Sequence, residues 1–421
     1  MKKVVIAGGG FAGLNLAKKL SSAGLFEVVL IDKNNYHFFP PLLYQVSTAF
    51  IESSNITYPF RKMFHNKKNL TFYMGSILNV KTDQKIIETD SGSLSYDFLI
   101  LAMGTETNFF GNENVKSNAL PMKNIDDALQ LRNHILLQLE KAVRVTSLAE
   151  KELYANIVIA GGGPTGVEIA GMLAEMAHNI VAKDYPEATS GVGNIYLVDG
   201  GKALLGPMST KSQAEALHVL ENLGVKVKLN TLVKDYVNNT VFLGDGTTIP
   251  AATLVWASGV IAKEVVGLPA EVITRGRRIL VDEFNLVKGS ENIFAIGDQC
   301  LMTSDVKFPN GHPQLAQVAI QQGKWLAENL IHQVEGKPMK AFTYNDKGSM
   351  AIIAKFKAVV DLPKGFFKGF FAWLVWLFIH IIPIAGFRNK VKLAFNWLWS
   401  FLTNDPTLRL IIRPNSKNKA A

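Results

Sequence analysis

Gly8, Gly10 and Gly13 are spaced GxGxxG, and Gly161, Gly163 and Gly166 repeat the pattern. Glycines so placed allow a tight turn, bring backbone amides against a diphosphate and pack the next helix closely on the preceding strand. Each run follows an apolar stretch that reads as a buried strand, Lys3 to Ala7 and Ala155 to Ala160, and each opens a helical pattern. An acid closes the following strand both times: Asp32 after Glu27 to Ile31, and Asp199 after Asn194 to Val198. One GxGxxG alone could be a plain turn; the recurrence, each time with its acid, points to two dinucleotide-binding modules. A carboxylate at Asp199 accepts from a free ribose 2′-OH and repels a 2′-phosphate, which favours NADH over NADPH. Lys202 is near enough to soften that repulsion, and the stretch around Lys183 to Gly193 is an insertion before the Asp199 strand.

The elements around these residues repeat as well. The run from Tyr96 through Ala102 to Gly104 is echoed by the run from Thr253 to Gly259, and a third strand, Ile293 to Ile296, closes on Gly297-Asp298. The expected fold class is therefore α/β, with two Rossmann-like dinucleotide-binding domains, the second inserted in the first. The single cysteine, Cys300, rules out a CxxC redox pair, an intramolecular disulfide, an iron–sulfur cluster and a Cys-rich zinc site. A lone buried thiol is expected to be inert packing. No metal site is expected, and no signal peptide precedes the first strand.

The order GxGxxG, AxG, GxGxxG, AxG, AIGD resembles the two-dinucleotide-binding flavoprotein superfamily over residues 1 to about 335. The resemblance implies an FAD-binding domain over 1–117 and 277–345 and an NADH-binding domain over 118–276. It places non-covalent FAD on Gly8, Gly10, Phe11, Ala12, Gly13, Asp32, Lys33, Ala102, Gly104, Gly297 and Asp298. NADH falls to Gly161, Gly163, Pro164, Thr165, Gly166, Glu168, Asp199 and Gly259.

Within the superfamily, two stretches are similar to type II NADH:quinone oxidoreductases. Asn35 to Val46 resembles the segment after the FAD-ribose acid, and Ala316-Gln317-Val318-Ala319-Ile320-Gln321 matches AQxAxQ. On a helix Gln317 and Gln321 share a face, so both amides could meet quinone carbonyl oxygens; the alternative is a polar surface stripe. Ala316 and Gln317 would also border the flavin. In Gly-Pro-Thr-Gly-Val-Glu, the resemblance implies a catalytic place for Glu168 where nicotinamide and flavin meet; the alternative is an acid favoured by the first turn's dipole. His37, in an aromatic-rich loop, is expected to be structural.

From Lys355 onward lie eleven of the 44 basic residues and two of the 35 acidic ones, which leaves 33 of each sign before it. The basic excess flanks aromatic and aliphatic runs, a pattern suited to an anionic membrane surface rather than to nucleic acid. Gly369 to Phe387 is apolar but for His380 and is interrupted by Pro383; Phe387 to Thr403 has polar residues at helical spacing, Asn389, Lys392, Asn396, Ser400 and Thr403. A C-terminal α-helical membrane-anchoring segment is expected over 346–421, spanning or lying in one leaflet, with a packed dimer interface as the alternative. The whole reading is an enzyme that passes electrons from NADH through FAD to the quinone pool without proton pumping, as a homodimer on the cytoplasmic face of the inner membrane. Two alternatives remain open: a flavoprotein reductase of a small electron-transfer protein, and a membrane-tethered NADH sensor resembling apoptosis-inducing flavoproteins.

Overall fold

The structure, a computed structural model, describes residues 1–189, 193–403 and 409–412. It divides into two compact units: Met1–Phe38 with Thr57–Glu106 and Val260–Asp346, and Phe39–Ile56 with Thr107–Gly259 and Lys347–Ala421. The segments of the two units alternate along the chain. The divisions fall after Glu106 and Gly259, and the loop 39–56 and the C-terminal region both count with the second unit.

The first unit is built on a five-stranded parallel sheet in the order Ile293–Ala295, Phe98–Leu101, Lys2–Ala7, Phe26–Asp32, Leu70–Met74. Val4, Val5, Ile6 and Ala7 are fully buried, as a strand covered on both faces requires. The helix Phe11–Ala23 lies against the helix Ala316–Val334. A Cβ on Gly323 would sit 2.3 Å from the carbonyl oxygen of Ala12, so only glycine lets the two backbones come this close.

The second unit repeats the sheet: Leu120–Pro121, Thr253–Trp256, Ile157–Ala160, Ile195–Val198, Lys226–Lys228, again all parallel. The register repeats too, Ala7 opposite Leu101 and Ile31 in one sheet, Ala160 opposite Trp256 and Val198 in the other. The insertion ahead of Asp199 continues the helix Pro164–Met176 through a π-helical turn, Ala177–Val181, and the short helices Ala182–Asp184 and Pro186–Thr189.

The C-terminal region is not wholly helical, which corrects the expectation. It opens with a three-stranded antiparallel sheet, Ser349–Ala354, Lys357–Leu362 and Gly365–Lys368, and only then forms the helices Phe370–Ile381 and Phe387–Thr403. Among the described residues no helix is long and apolar enough to cross a membrane. The apolar helix has 12 residues, about 18 Å at 1.5 Å per residue, against a hydrocarbon core of about 30 Å.

Candidate functional site

The two glycine turns have one geometry. Gly8 has φ +108°, and a Cβ there would lie 2.3 Å from the carbonyl oxygen of Ala102; Gly161 has φ +111°, and its Cβ would lie 2.5 Å from that of Ala257. At Gly13 and Gly166 a Cβ would strike the carbonyl oxygens of Gly8 and Gly161 at 1.9 and 1.8 Å, so helix and turn can close only on glycine. Gly10 and Gly163 differ: nothing lies within 4 Å of a Cβ built on either. Each is the N-cap of its helix, and no side chain caps it. An open space before an uncapped helix N-terminus is what a pyrophosphate needs, and Phe11-Ala12-Gly13 and Pro164-Thr165-Gly166 form the first turns that face it.

The two acids also correspond. Asp32 Oδ2 accepts from the amide of Gly9 at 2.7 Å and Oδ1 from that of Asn34 at 2.8 Å; Asp199 Oδ2 accepts from Gly162 and Oδ1 from Gly201, both at 2.6 Å. Burial pushes the Asp32 carboxyl above its ordinary value, opposed by its two amide donors. Each oxygen keeps lone-pair capacity for a ribose hydroxyl. Lys33 is exposed beside Asp32.

Around the first cradle, Ala102 N–H donates to Ala7 and the Gly104 carbonyl accepts from Lys263. Gly297 rests on Ala12 and Ala319, where an added Cβ would lie 3.2 and 3.4 Å from their Cβ atoms. Asp298 accepts from the Thr105 hydroxyl at 3.3 Å, and its carbonyl accepts from Gln314 at 2.9 Å. Sequence reasoning missed Gln322, which is fully buried: its Oε1 accepts from the Gly297 amide at 2.7 Å and from the Cys300 thiol at 3.3 Å. Burial pushes that thiol up to about 11, and at 1% exposure it is packed in the interior. His37 is structural in the same sense: its Nδ1–H donates to the Gly9 carbonyl at 3.0 Å, and burial lowers it to about 4. In the second cradle the carbonyl of Gly259 accepts from Asn108.

Gln317 and Gln321 lie in the first two turns of the Ala316–Val334 helix, each partly exposed, and Ala316 begins it. Sequence reasoning assigns both amides to a quinone; the structure shows that of Gln321 already engaged. The Gln321 amide clasps one backbone residue, Nε2 donating to the Asn345 carbonyl at 2.9 Å and Oε1 accepting from its N–H at 3.1 Å.

Glu168 lies past the first turn of its helix, so the dipole reading does not describe it. It belongs to a seam where the strand Ser349–Ala354 runs along the helix face of Glu168, Gly171 and Glu175, spaced i, i+3, i+7. Glu168 accepts from the Ile352 amide, a Cβ on Gly171 would strike the Ile353 carbonyl at 1.6 Å, and Glu175 accepts from Lys355 N–H at 2.6 Å. Burial raises the Glu168 carboxyl well above its ordinary value. Tyr44, 2% exposed, is raised well above its own by burial and then by the charge of Glu168. Its hydroxyl accepts from Gln45 Nε2 at 2.8 Å, and Gln45 Oε1 accepts from the Trp397 indole at 2.8 Å.

The profile of the pyridine nucleotide-disulphide oxidoreductase family matches residues 2–323, and that of the NDH2 C-terminal domain matches residues 347–404. A type II NADH:quinone oxidoreductase of Mycobacterium tuberculosis, NdhA, is 36% identical over 417 residues, which cover 95% of this chain and 87% of that protein. This chain belongs to the type II NADH:quinone oxidoreductases. The family's protein from Haemophilus influenzae is 31% identical over 433 residues, covering 94% of this chain and 96% of its own. The NDH2 structure from Plasmodium falciparum in complex with NADH superposes with a TM-score of 0.88 at 23% identity, covering 98% of this chain and all of that one, which speaks for the fold.

In this type II enzyme, sequence reasoning found the cradles but not the seam. A helix-interior glycine such as Gly171 carries no spacing signal, and the apolar run Met350 to Ala354 that lies on it was not recognised as a strand.

Proposed function

We propose that this enzyme passes two electrons from NADH to a membrane quinone through non-covalently held FAD, without moving charge across the membrane. The carrying observation is the pair of matching cradles, each with an open diphosphate position and an acid in ribose reach. FAD, once bound, supplies the chemistry: it takes hydride from the nicotinamide and gives electron pairs to the quinone. The amides following Gly10 hold its pyrophosphate, Asp32 and Lys33 its ribose end, and Asp298 with Gly297 its ribityl side. The second cradle holds NADH through the amides after Gly163, with Asp199 selecting the free 2′-OH. Gln317 and Gln321 offer their amides to the quinone carbonyl oxygens, Gln321 once released from Asn345. Glu168 lines the nicotinamide end.

The C-terminal helices support attachment to one leaflet. Their inward faces are Ala372, Trp373 and Trp376 on one helix and Asn389, Leu393, Trp397 and Ser400 on the other. Outward they show Phe371 at 75% exposure, Phe378 at 69%, Phe387 at 82% and Leu402 at 75%. The second helix thus buries two of its polar residues beside Leu393 and Trp397 and exposes Phe387, Val391, Phe395, Leu398 and Leu402, which suits an apolar solvent better than water. We place the enzyme on the cytoplasmic face of the inner membrane, as a homodimer.

Steady-state assays of the purified chain with NADH or NADPH, against ubiquinone and menaquinone analogues, test the reaction. Fast NADH-dependent quinone reduction is expected, and flavin reduction without quinone turnover would remove the reading. For attachment, Phe378→Asp with Phe395→Asp should abolish pelleting with vesicles while flavin is retained; unchanged pelleting would refute it.

A further inference from the structure

In the second sheet Ala160 is paired with both Trp256 and Val198, so three neighbouring strands end level and the chain leaves them into Gly161, Ala257 and Asp199. Ligands of such sheets lie outside the carboxyl ends of the strands, and neighbouring strands stand about 4.8 Å apart. A dinucleotide with its adenosine ribose at Asp199 and its diphosphate before Gly163 therefore continues over the end of the Thr253–Trp256 strand, where Ala257-Ser258-Gly259 follows. The residue that stands against that segment is Phe110, whose Cζ would lie 3.2 Å from a Cβ built on Gly259.

Phe110 has φ +52°, a left-handed backbone that bulky side chains rarely adopt, and it is 67% exposed. Its surroundings hold it there. Asn108 Oδ1 accepts from the Phe110 N–H at 2.8 Å, Asn108 N–H donates to the Gly259 carbonyl at 3.1 Å, and the Asn108 carbonyl accepts from the Trp256 indole at 2.8 Å. Phe109 stacks on that indole with centroids 6.1 Å apart, and Phe110 meets it edge-on at 6.5 Å. At Gly104, the counterpart of Gly259 in the first sheet, nothing lies within 4 Å of an added Cβ. The ring is thus a feature of the second cradle alone, kept in a strained backbone and in water by bonds that fix its place. Strain held in this way by its neighbours is characteristic of ligand-contacting positions.

We propose that Phe110 is a binding residue for the nicotinamide half of NADH, its ring forming the apolar wall of that subsite beside Gly259; this rests on the second cradle being the NADH site. The nicotinamide is a flat ring with two faces to cover, and an aromatic wall holds it by stacking and keeps water from it. The adenosine and diphosphate, held by Asp199 and the amides after Gly163, lie over the other two strand ends and do not meet Phe110.

The test uses the full-length flavin-loaded enzyme and two probes: NADH, and ADP-ribose, which carries the same adenosine and diphosphate without the nicotinamide. Phe110→Gly removes the ring and suits the left-handed backbone, so it should melt no lower than the native enzyme, which separates loss of the ring from loss of the fold. Its Kd for NADH, read from the concentration dependence of flavin reduction in stopped flow, should rise about fivefold or more, as for loss of an aromatic ring stacked on a base, while the inhibition constant of ADP-ribose stays within about twofold. Phe110→Tyr, which keeps the ring, should bind NADH as the native enzyme does. Unchanged NADH binding in Phe110→Gly would overturn the proposal, and so would equal weakening of both probes, which would make the loop a support of the whole cradle. Failure of the cradle reading shows differently, in ADP-ribose that does not compete with NADH in the native enzyme, and the proposal would fall with it.

Discussion

Trp397 donates its indole N–H to Gln45 Oε1 at 2.8 Å, across 352 residues of sequence. Gln45 passes the bond on to Tyr44, so one buried amide ties the last helix to the aromatic loop. Trp397→Phe leaves that amide oxygen without its donor and should cost about 1–2 kcal/mol. Gln45→Leu should cost a similar amount, and the double variant clearly less than the sum, because both remove one bond. Thermal unfolding of the four proteins measures this; additive losses would show that the residues act separately.

His37 gives a pH dependence of known sign. Its imidazole titrates near 4 in the fold and near the ordinary 6.5 once unfolded, so between these values the unfolded chain binds the extra proton. Stability should fall as pH drops from 6.5 towards 4, by up to roughly 3 kcal/mol from this group. Denaturant unfolding at several pH values should show the slope in the native enzyme and a shallower one in His37→Phe. Equal slopes would mean that His37 is solvated in the fold.

Asp199 is expected to set the nicotinamide preference, with both oxygens already oriented by Gly162 and Gly201. Asp199→Ser removes the charge that repels a 2′-phosphate and should raise the NADPH to NADH ratio of kcat/KM at least tenfold. Because the carboxylate also holds the Gly162 turn, NADH affinity should fall as well. A ratio that stays constant assigns Asp199 to the turn alone.

The two glutamines of AQxAxQ should both act on the quinone half-reaction. Gln317→Leu should leave flavin reduction by NADH intact and slow reoxidation by quinone several-fold, a hydrogen bond being worth about 1 kcal/mol. Gln321→Leu should do the same and also lower the melting temperature, since it unclasps Asn345. Stopped-flow measurement of each half-reaction, with melting curves, checks both; if Gln321→Leu melts like the native enzyme, the clasp carries no energy.

What could be read from the sequence follows from what a ligand or a backbone demands of single residues. The diphosphate turns were legible because only glycine fits at Gly8 and Gly13, and the acids because each closes a strand at a fixed place. The Phe387–Thr403 helix was legible from its spacing, but not its facing. Asn389 and Ser400 point inward, against the rule that holds in water, because the outer medium proposed for this face is apolar. Gln322 and Gln45 were missed because a buried amide leaves no periodic trace, and Gln321 looked like a free donor because its partner Asn345 lies outside the helix.

The seam between Lys355 and Glu175 links positions 180 residues apart, and the chain is made in one direction. During synthesis the second dinucleotide module emerges complete in its sheet, yet the Glu168–Glu175 face of its helix has nothing to cover it until the strand Ser349–Ala354 has left the ribosome. At about 5–20 residues per second that interval lasts roughly 5–20 seconds. Through it the module carries two uncapped carboxylates and a bare glycine groove, so its last folding step waits for the C-terminal region. With the attachment proposed above, maturation and delivery of this enzyme would be a single event.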